Sequence, residues 1–445
     1  KDLDDAVSCW IENGQRVLGV HIADVSHYVT PHSPLDTEAL ARGTSVYFAD
    51  RVIPMLPTAL SNGICSLNAG EDKLTLSAFL TYDENGVCRA FRLAKTVIRS
   101  QVRGVYSELN DLWNGAADEE IAAKYQPVAD AIALLRELAN QLKAAAAARG
   151  TLSLESSEAR FVLDENGVPG DILPRVSGEA EELIEQCMIA ANEQVARFAR
   201  ERELPFVYRI HEQPNAEKMA QLMADAQVLG LTRTAERAPT LADLRALMEE
   251  AADTSYARLI SDRVLRCMAK ARYSDRPVGH CGLALADYCH FTSPIRRYPD
   301  LAIHRILSAY LAGDAADTLS RRFGGFAAEA ASASSLCEVR AMTAERACEA
   351  CYKAEYMLAH VGETFDGVVV SVGSFGAYVQ LSNTVDGLLP LHELDDAAPH
   401  FDGIASIVGA EGERLLTTGD TVRVTVAACD VSVGHIDFVP AKEAE

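Results

Sequence analysis

The chain has 445 residues, too many for one ordinary hydrophobic core, so two or three domains are expected. Hydrophobic residues make up 49% and charged residues 24%, a globular balance, and no apolar run is long enough to span a bilayer. The net charge of −23 argues against a general polyanion binder, so any nucleic-acid function must come from local basic spots.

The chain opens Lys1-Asp2-Leu3-Asp4-Asp5-Ala6. Three carboxylates fall within four positions, with no Lys or Arg between them. Such a cluster repels itself unless a cation holds it, and carboxylate oxygens are what Mg²⁺ and Mn²⁺ select. On spacing alone, an acidic turn or a solvated strand end serves equally well. On a regular strand Asp2 and Asp4 would share a face and Asp5 would point away. One site for all three therefore requires a turn or bulge at Asp4-Asp5.

Downstream, Leu18, Val20 and Ile22 alternate, which indicates a strand. Further β-rich runs cover 74–81 and 88–99, separated by the turn Asp83-Glu84-Asn85-Gly86. Residues 115–150 are rich in Ala and Leu and read as helices. Helical spacing continues at 178–202, 215–229, 241–250, 255–271, 295–312 and 318–358. Strands first and helices later point to an α+β body. Composition shifts near residue 360. Five short β runs follow, at 365–372, 377–381, 387–390, 421–428 and 435–439, and they fit a small OB-type barrel. From Val361 to the end there are 3 basic and 14 acidic residues, a net −11.

Within Thr292-Ser293-Pro294-Ile295-Arg296-Arg297, Ser before Pro predicts a helix start, with Ser293 at the N-cap and Pro294 first inside. Two arginines in that first turn oppose the helix dipole unless a phosphate docks on the free N–H groups. Pairing with surface carboxylates is an equal alternative. Tyr47 beside Phe48 reads as core packing or as a base-stacking platform. His21, His27 and His211 have no ligand spacing and read as structural. The 11 cysteines suit reduced thiols in a cytoplasm. Cys348 and Cys351 have no second pair to complete a zinc site. The chain starts with Lys rather than Met and shows no signal peptide, so a processed product or a fragment is expected.

The segment Gly43-Thr-Ser-Val-Tyr-Phe-Ala-Asp-Arg-Val-Ile-Pro-Met-Leu-Pro57, followed by Leu60-Ser61-Asn62 and Cys65-Ser66-Leu67, closely resembles the RNB family. These are the hydrolytic 3′→5′ exoribonucleases of the RNase II and RNase R type. The opening Asp-Leu-Asp-Asp-Ala, His21-Ile-Ala-Asp-Val-Ser-His-Tyr28, Tyr208-Arg-Ile-His211 and Phe291-Thr-Ser-Pro-Ile-Arg-Arg-Tyr-Pro-Asp300 belong to the same pattern, in the same order. The barrel resembles the S1 RNA-binding domain through Gly367-Val-Val-Val-Ser-Val-Gly-Ser-Phe-Gly-Ala-Tyr-Val379 and Asp386-Gly-Leu-Leu-Pro-Leu-His-Glu-Leu394. Lys353-Ala-Glu-Tyr-Met357 looks more like RNase R than RNase II. The family places cold-shock-type barrels and a further metal-associated Asp ahead of the position of Asp2. Neither is in this sequence, which implies a truncated member.

The resemblance implies an α+β catalytic RNB domain over 1–360, then an all-β OB-fold (S1) barrel over 361–445. It implies a magnesium-dependent, processive exonuclease, with Mn²⁺ as a substitute, that degrades single-stranded RNA to 5′-monophosphate nucleotides in the cytoplasm. Asp2, Asp4 and Asp5 would be the metal aspartates, with Asp4 tied most directly to cleavage. Arg296 matches the arginine near the scissile phosphate. Tyr47 matches the tyrosine that stacks on the 3′-terminal base. Glu345 and Arg346 match a position near the RNA end, for which a helical surface ion pair is the plain alternative. Phe375, Tyr378 and His392 match the RNA-facing side chains of S1 domains. The family's second stacking aromatic has no match near His211. Two alternatives stand beside this reading. One is a non-catalytic RNA-binding scaffold, and the other a module whose acidic barrel binds basic partners such as ribosomal proteins or RNA-degradation factors.

Overall fold

The structure is a computed structural model that describes residues 2–152, 158–231, 237–394, 396 and 398–442. A four-stranded antiparallel sheet comes first: Asp5–Glu12, Gln15–Ala23, Asp72–Tyr82 and Cys88–Arg99, in that order. A two-residue loop joins the first pair. Asn13 and Gly14 both hold positive φ, at 52° and 76°, which is the tight hairpin turn that Asn-Gly favours. The alternation at Leu18, Val20 and Ile22 is real, but Val17, Gly19, His21 and Ala23 are buried as well. Helices pack over this sheet, so its second strand buries both faces.

Helices Ala129–Arg149 and Glu179–Glu201 pack together and against the sheet. Helix Tyr298–Leu311 lies inside the molecule, with every residue from Tyr298 to Leu307 buried. It packs along Ala316–Leu358, a helix of 43 residues. At about 1.5 Å per residue that helix is long enough to serve two cores. Leu319, Phe323 and Ala327 belong to the core beneath the four-stranded sheet, whereas Ala354 and Met357 belong to the barrel core. Helices Ala216–Val228, Leu241–Ala251 and Ala257–Cys267 form a third, separate core.

The C-terminal region is a closed five-stranded barrel of Thr364–Gly373, Gly376–Leu381, Asp386–Pro390, His435–Pro440 and Thr421–Asp430. All five predicted runs became its staves. Fully buried Phe438 fills the interior, and Gly387 stands where any Cβ would strike the Phe438 ring. A small sheet of His400–Phe401, Ser406–Val408 and Arg414–Thr417 was not read from the sequence. Nor was the hairpin Ala159–Leu163 and Pro169–Pro174, whose Ile172 joins the barrel core from far upstream. All 11 cysteines are free. Among the described residues no helix is long and apolar enough to cross a membrane.

The helix expected to begin at Ser293 begins at Tyr298 instead. Residues 293–297 form a single turn closed by the Arg297 N–H on the Ser293 carbonyl, at 2.9 Å. Arg297 then goes extended, with φ −134° and ψ 125°, because it bridges Thr44. The helix restarts with Pro299 in its first turn. The dipole argument for Arg296 therefore fails. Arg296 sits on the turn before the helix, not on free N–H groups at a helix end.

Candidate active site

The acidic opening is held by its backbone. The Asp4 carbonyl accepts the Ala23 N–H at 2.9 Å, and the Leu3 carbonyl accepts the Leu67 N–H at 3.0 Å. The Leu3 N–H donates to Ser66 Oγ at 3.1 Å. The strand register from Asp5 to Glu12 runs without a bulge. Asp2, Leu3 and Asp4 lie ahead of the strand, so of the turn or bulge expected at Asp4-Asp5 no bulge forms, and the backbone before the strand is what brings the three carboxylates together. Asp4 is buried, Asp2 is half-buried and Asp5 is exposed.

Asp4 Oδ1 accepts the Ile295 N–H at 2.8 Å, and its Oδ2 lies 3.6 Å from Arg296 Nε. Burial pushes the Asp4 carboxyl up to about 8, against the opposing pull of the Arg296 guanidinium. Desolvation also raises Asp5, although one side of it meets solvent, and Arg296 again opposes. The Arg296 side chain is 40% exposed, and its Nη2 donates to Ser293 Oγ at 2.9 Å. It faces the acidic cluster on one side and has guanidinium surface left for an anion.

Tyr47 is 41% exposed, so it is not a core aromatic. Its N–H donates to Glu345 Oε1 at 2.7 Å, and its hydroxyl reaches Asp2 Oδ2 at 3.4 Å. The long helix thus fixes the Tyr47 strand through Glu345, and Tyr47 leads back to Asp2. The same loop meets the arginine turn. Ser45 N–H and the Thr44 hydroxyl donate to the Arg296 carbonyl at 2.9 and 3.1 Å. Asp2, Asp4, Asp5, Tyr47, Arg296 and Glu345 are therefore one locus, gathered from four parts of the chain.

Arg346 diverges from Glu345. With Arg258, Lys353 and Tyr378 it lines a cleft of about 1040 Å³ between the barrel, the long helix and the three-helix unit. Phe375 (52% exposed) and Tyr378 (40%) meet edge to face, 5.6 Å between ring centroids. They face outward, and Phe438 plugs the barrel in their place. His392 is exposed and follows Leu391, whose N–H binds the Phe375 carbonyl at 3.2 Å, so both lie on one rim.

His21 accepts and donates between Ser8 Oγ (2.9 Å) and Ser77 Oγ (2.8 Å), a satisfied structural histidine. Two residues near the site were given no role by the sequence. Tyr106 opens helix Tyr106–Asn114, is 44% exposed and feels the charges of Asp5 and Arg296. Asp300 is fully buried behind the arginine turn. The predicted helical region began after Tyr106, and Asp300 was only the last residue of the Phe291–Asp300 motif, with no role attached to it.

Among the described residues, no three His, Cys, Asp or Glu side chains converge tightly enough to hold a metal ion by themselves. The donors at this locus are nonetheless all carboxylate oxygens, the chemistry that suits Mg²⁺ or Mn²⁺ and leaves positions for water and phosphate. A buried, incompletely compensated carboxylate such as Asp4 is also where an added cation relieves the most charge.

A carboxylate cluster opposed by one arginine thus stands beside an exposed aromatic, in a chain that carries an OB-type barrel after it. Residues 1–313 match the RNB domain and residues 359–439 match the S1 RNA-binding domain. The chain belongs to the RNB family. It is 40% identical over 450 residues to "Ribonuclease R" of Thermotoga maritima, covering all of this chain and 63% of that protein. It is 39% identical over 441 residues to "Ribonuclease R 1" of Lactococcus lactis, covering 98% and 54%. The chain thus spans roughly half to two thirds of these relatives' lengths. Among solved structures, Mycoplasma genitalium RNase R in complex with ribose-methylated single-stranded RNA superposes with a TM-score of 0.90 at 28% identity. That match covers 99% of this chain and 69% of the other.

Proposed function

We propose that the chain is the core of a hydrolytic 3′→5′ exoribonuclease of the RNase R type. It would act processively on single-stranded RNA and release 5′-monophosphate nucleotides, in the cytoplasm. The observation that carries this reading is Asp4, buried against Arg296, with exposed Tyr47 reaching the same acidic segment.

Asp2, Asp4 and Asp5 would hold Mg²⁺, with Mn²⁺ as a substitute. The cation would supply an activated water and offset charge on the phosphate. Arg296 would bind the scissile phosphate through guanidinium N–H groups not engaged by Ser293. Tyr47 would stack on the terminal base, held in place by Glu345. Arg346, Lys353, Tyr378, Phe375 and His392 would guide the strand inward. The barrel's −11 charge leaves stacking as its main contribution, because phosphate affinity follows Lys and Arg. Preference for RNA over DNA would come from contacts to 2′-hydroxyls.

The test is a gel of end-labelled single-stranded RNA with Mg²⁺ or with chelator, for wild type and Asp4→Asn. Mononucleotide release by wild type with Mg²⁺ alone, and intact but still bound RNA with the variant, is the expected result. Cleavage by Asp4→Asn near the wild-type rate would remove Asp4 from the chemistry. Intact RNA with wild type and Mg²⁺ would overturn the nuclease reading.

A further inference from the structure

We propose that Asp300 is a positioning residue, which clamps the Ser293–Arg297 turn and so sets the approach of Arg296 to Asp4. The proposal rests on the exoribonuclease reading of that site.

Asp300 is third in helix Tyr298–Leu311 and is 0% exposed. Its Oδ1 accepts two hydrogen bonds, from the Ser293 N–H at 2.8 Å and from Arg297 Nη2 at 2.7 Å. One oxygen thus ties both ends of the turn that carries Arg296. The middle of the same turn is tied from the other side, by the Ile295 N–H on Asp4 Oδ1. The Arg296 carbonyl is tied by Thr44 and Ser45. Each anchor fixes a different residue of the turn, and the guanidinium then leans on Ser293 Oγ, next to the atom that Asp300 holds.

The second oxygen, Oδ2, is buried and has no hydrogen-bond partner. A buried carboxylate oxygen left unmatched is costly. The Ser293 N–H alone could be met by a neutral amide. A buried Asp–Arg pair is also no better for stability than well-packed apolar residues. What the pair does supply is one geometry. The charge-assisted bonds at both ends of the turn leave it a single arrangement, and that arrangement puts Arg296 Nε 3.6 Å from Asp4 Oδ2. A shift of about 1 Å in a group that acts on the reacting phosphate can cost about 100-fold in rate.

The experiment is a double-mutant cycle in the full chain with Mg²⁺. Single-turnover cleavage and filter binding of labelled single-stranded RNA are measured for wild type, Asp300→Asn, Arg296→Ala and the double variant. Thermal melts accompany each. If Asp300 acts through Arg296, Asp300→Asn lowers the single-turnover rate by about 10- to 100-fold, while affinity stays within about threefold. In the Arg296→Ala background it then adds little, because residues that act as one unit are not additive. A loss by the same factor in both backgrounds shows a merely structural role and overturns the proposal, as does an unchanged rate. If Asp300→Asn alone does not fold, Asp300→Asn with Arg297→Gln takes its place. That pair removes both buried charges and keeps an amide hydrogen bond across the turn. Wild type that leaves RNA intact overturns the exoribonuclease reading and this proposal together. Active wild type with an unaffected Asp300→Asn overturns this proposal alone.

Discussion

The Ile295 N–H donates to Asp4 Oδ1 at 2.8 Å, joining positions 291 residues apart. That bond brings the acidic opening of the chain to the arginine turn. It uses one oxygen of a carboxylate and leaves the other facing Arg296. The site is thereby built from backbone as much as from charge: Leu3 is held by Ser66 and Leu67, Asp4 by Ala23 and Ile295, and Arg296 by Thr44 and Ser45.

Arg296→Ala removes the cation that faces Asp4 and would face a phosphate. The rate should fall by about 100- to 1000-fold, the loss typical of one preorganised donor on developing charge. Substrate affinity should change far less. Single-turnover rates and filter binding measured together check this, and an unchanged rate would return Arg296 to a role as ion-pair partner of Asp4.

Tyr47→Ala should leave the enzyme active and change the size of the shortest remaining oligonucleotide. The exposed ring can offer about 1–3 kcal/mol of base stacking, which governs how well a short substrate is retained. Digestion ladders run to completion show the outcome. Identical end products for both proteins would mean that the ring serves only to hold Asp2.

Phe375→Ala should weaken RNA binding by about 1–3 kcal/mol and leave the salt dependence of binding unchanged, since each phosphate neutralised on a single strand contributes roughly 0.7 to that slope. The point variant is a cleaner test than deleting the barrel, because deletion would expose Ile172 of the upstream hairpin. Affinities measured across a salt series decide it. A slope that changes with Phe375→Ala would show that phosphate contacts are lost with the ring.

His21 supplies a stability prediction. Burial lowers its pKa to about 4, from 6.5, so the folded protein keeps it neutral where the unfolded chain would protonate it. Its contribution is present in full above pH 6.5 and is lost as pH falls through that window toward about 4, at up to about 1.4 kcal/mol per pH unit. His21→Asn should melt at a lower temperature than wild type at pH 7, because the bonds to Ser8 and Ser77 are disturbed. It should also lose less stability between pH 7 and pH 5. Melts at the two pH values test this, and an equal loss for both proteins would place the acid sensitivity elsewhere.

Much of the architecture was legible in local pattern. The five barrel runs became staves, the turn at Asp83-Glu84-Asn85-Gly86 and the long helix were written in turn chemistry and periodicity, and the family motifs marked the acidic opening, Tyr47 and Arg296 as residues of interest. These features depend on neighbours in sequence, where spacing and conformational preference act directly. What local pattern could not supply was long-range closure. Ser293-Pro294 carries a proper helix-start signal, yet Thr44 and Asp300 draw Arg297 into an extended bridge and delay the helix to Tyr298. Asp4 and Asp5 are adjacent and chemically alike, but the tertiary fold buries Asp4 on the Ile295 N–H and leaves Asp5 with one side open to solvent. Glu345 reaches Tyr47 across 298 residues, a pairing no window of sequence contains. Sequence determined which segments would be strand, helix and turn. Tertiary contacts decided how much water each carboxylate lost, because desolvation depends on everything packed around a group and not on its place in the chain.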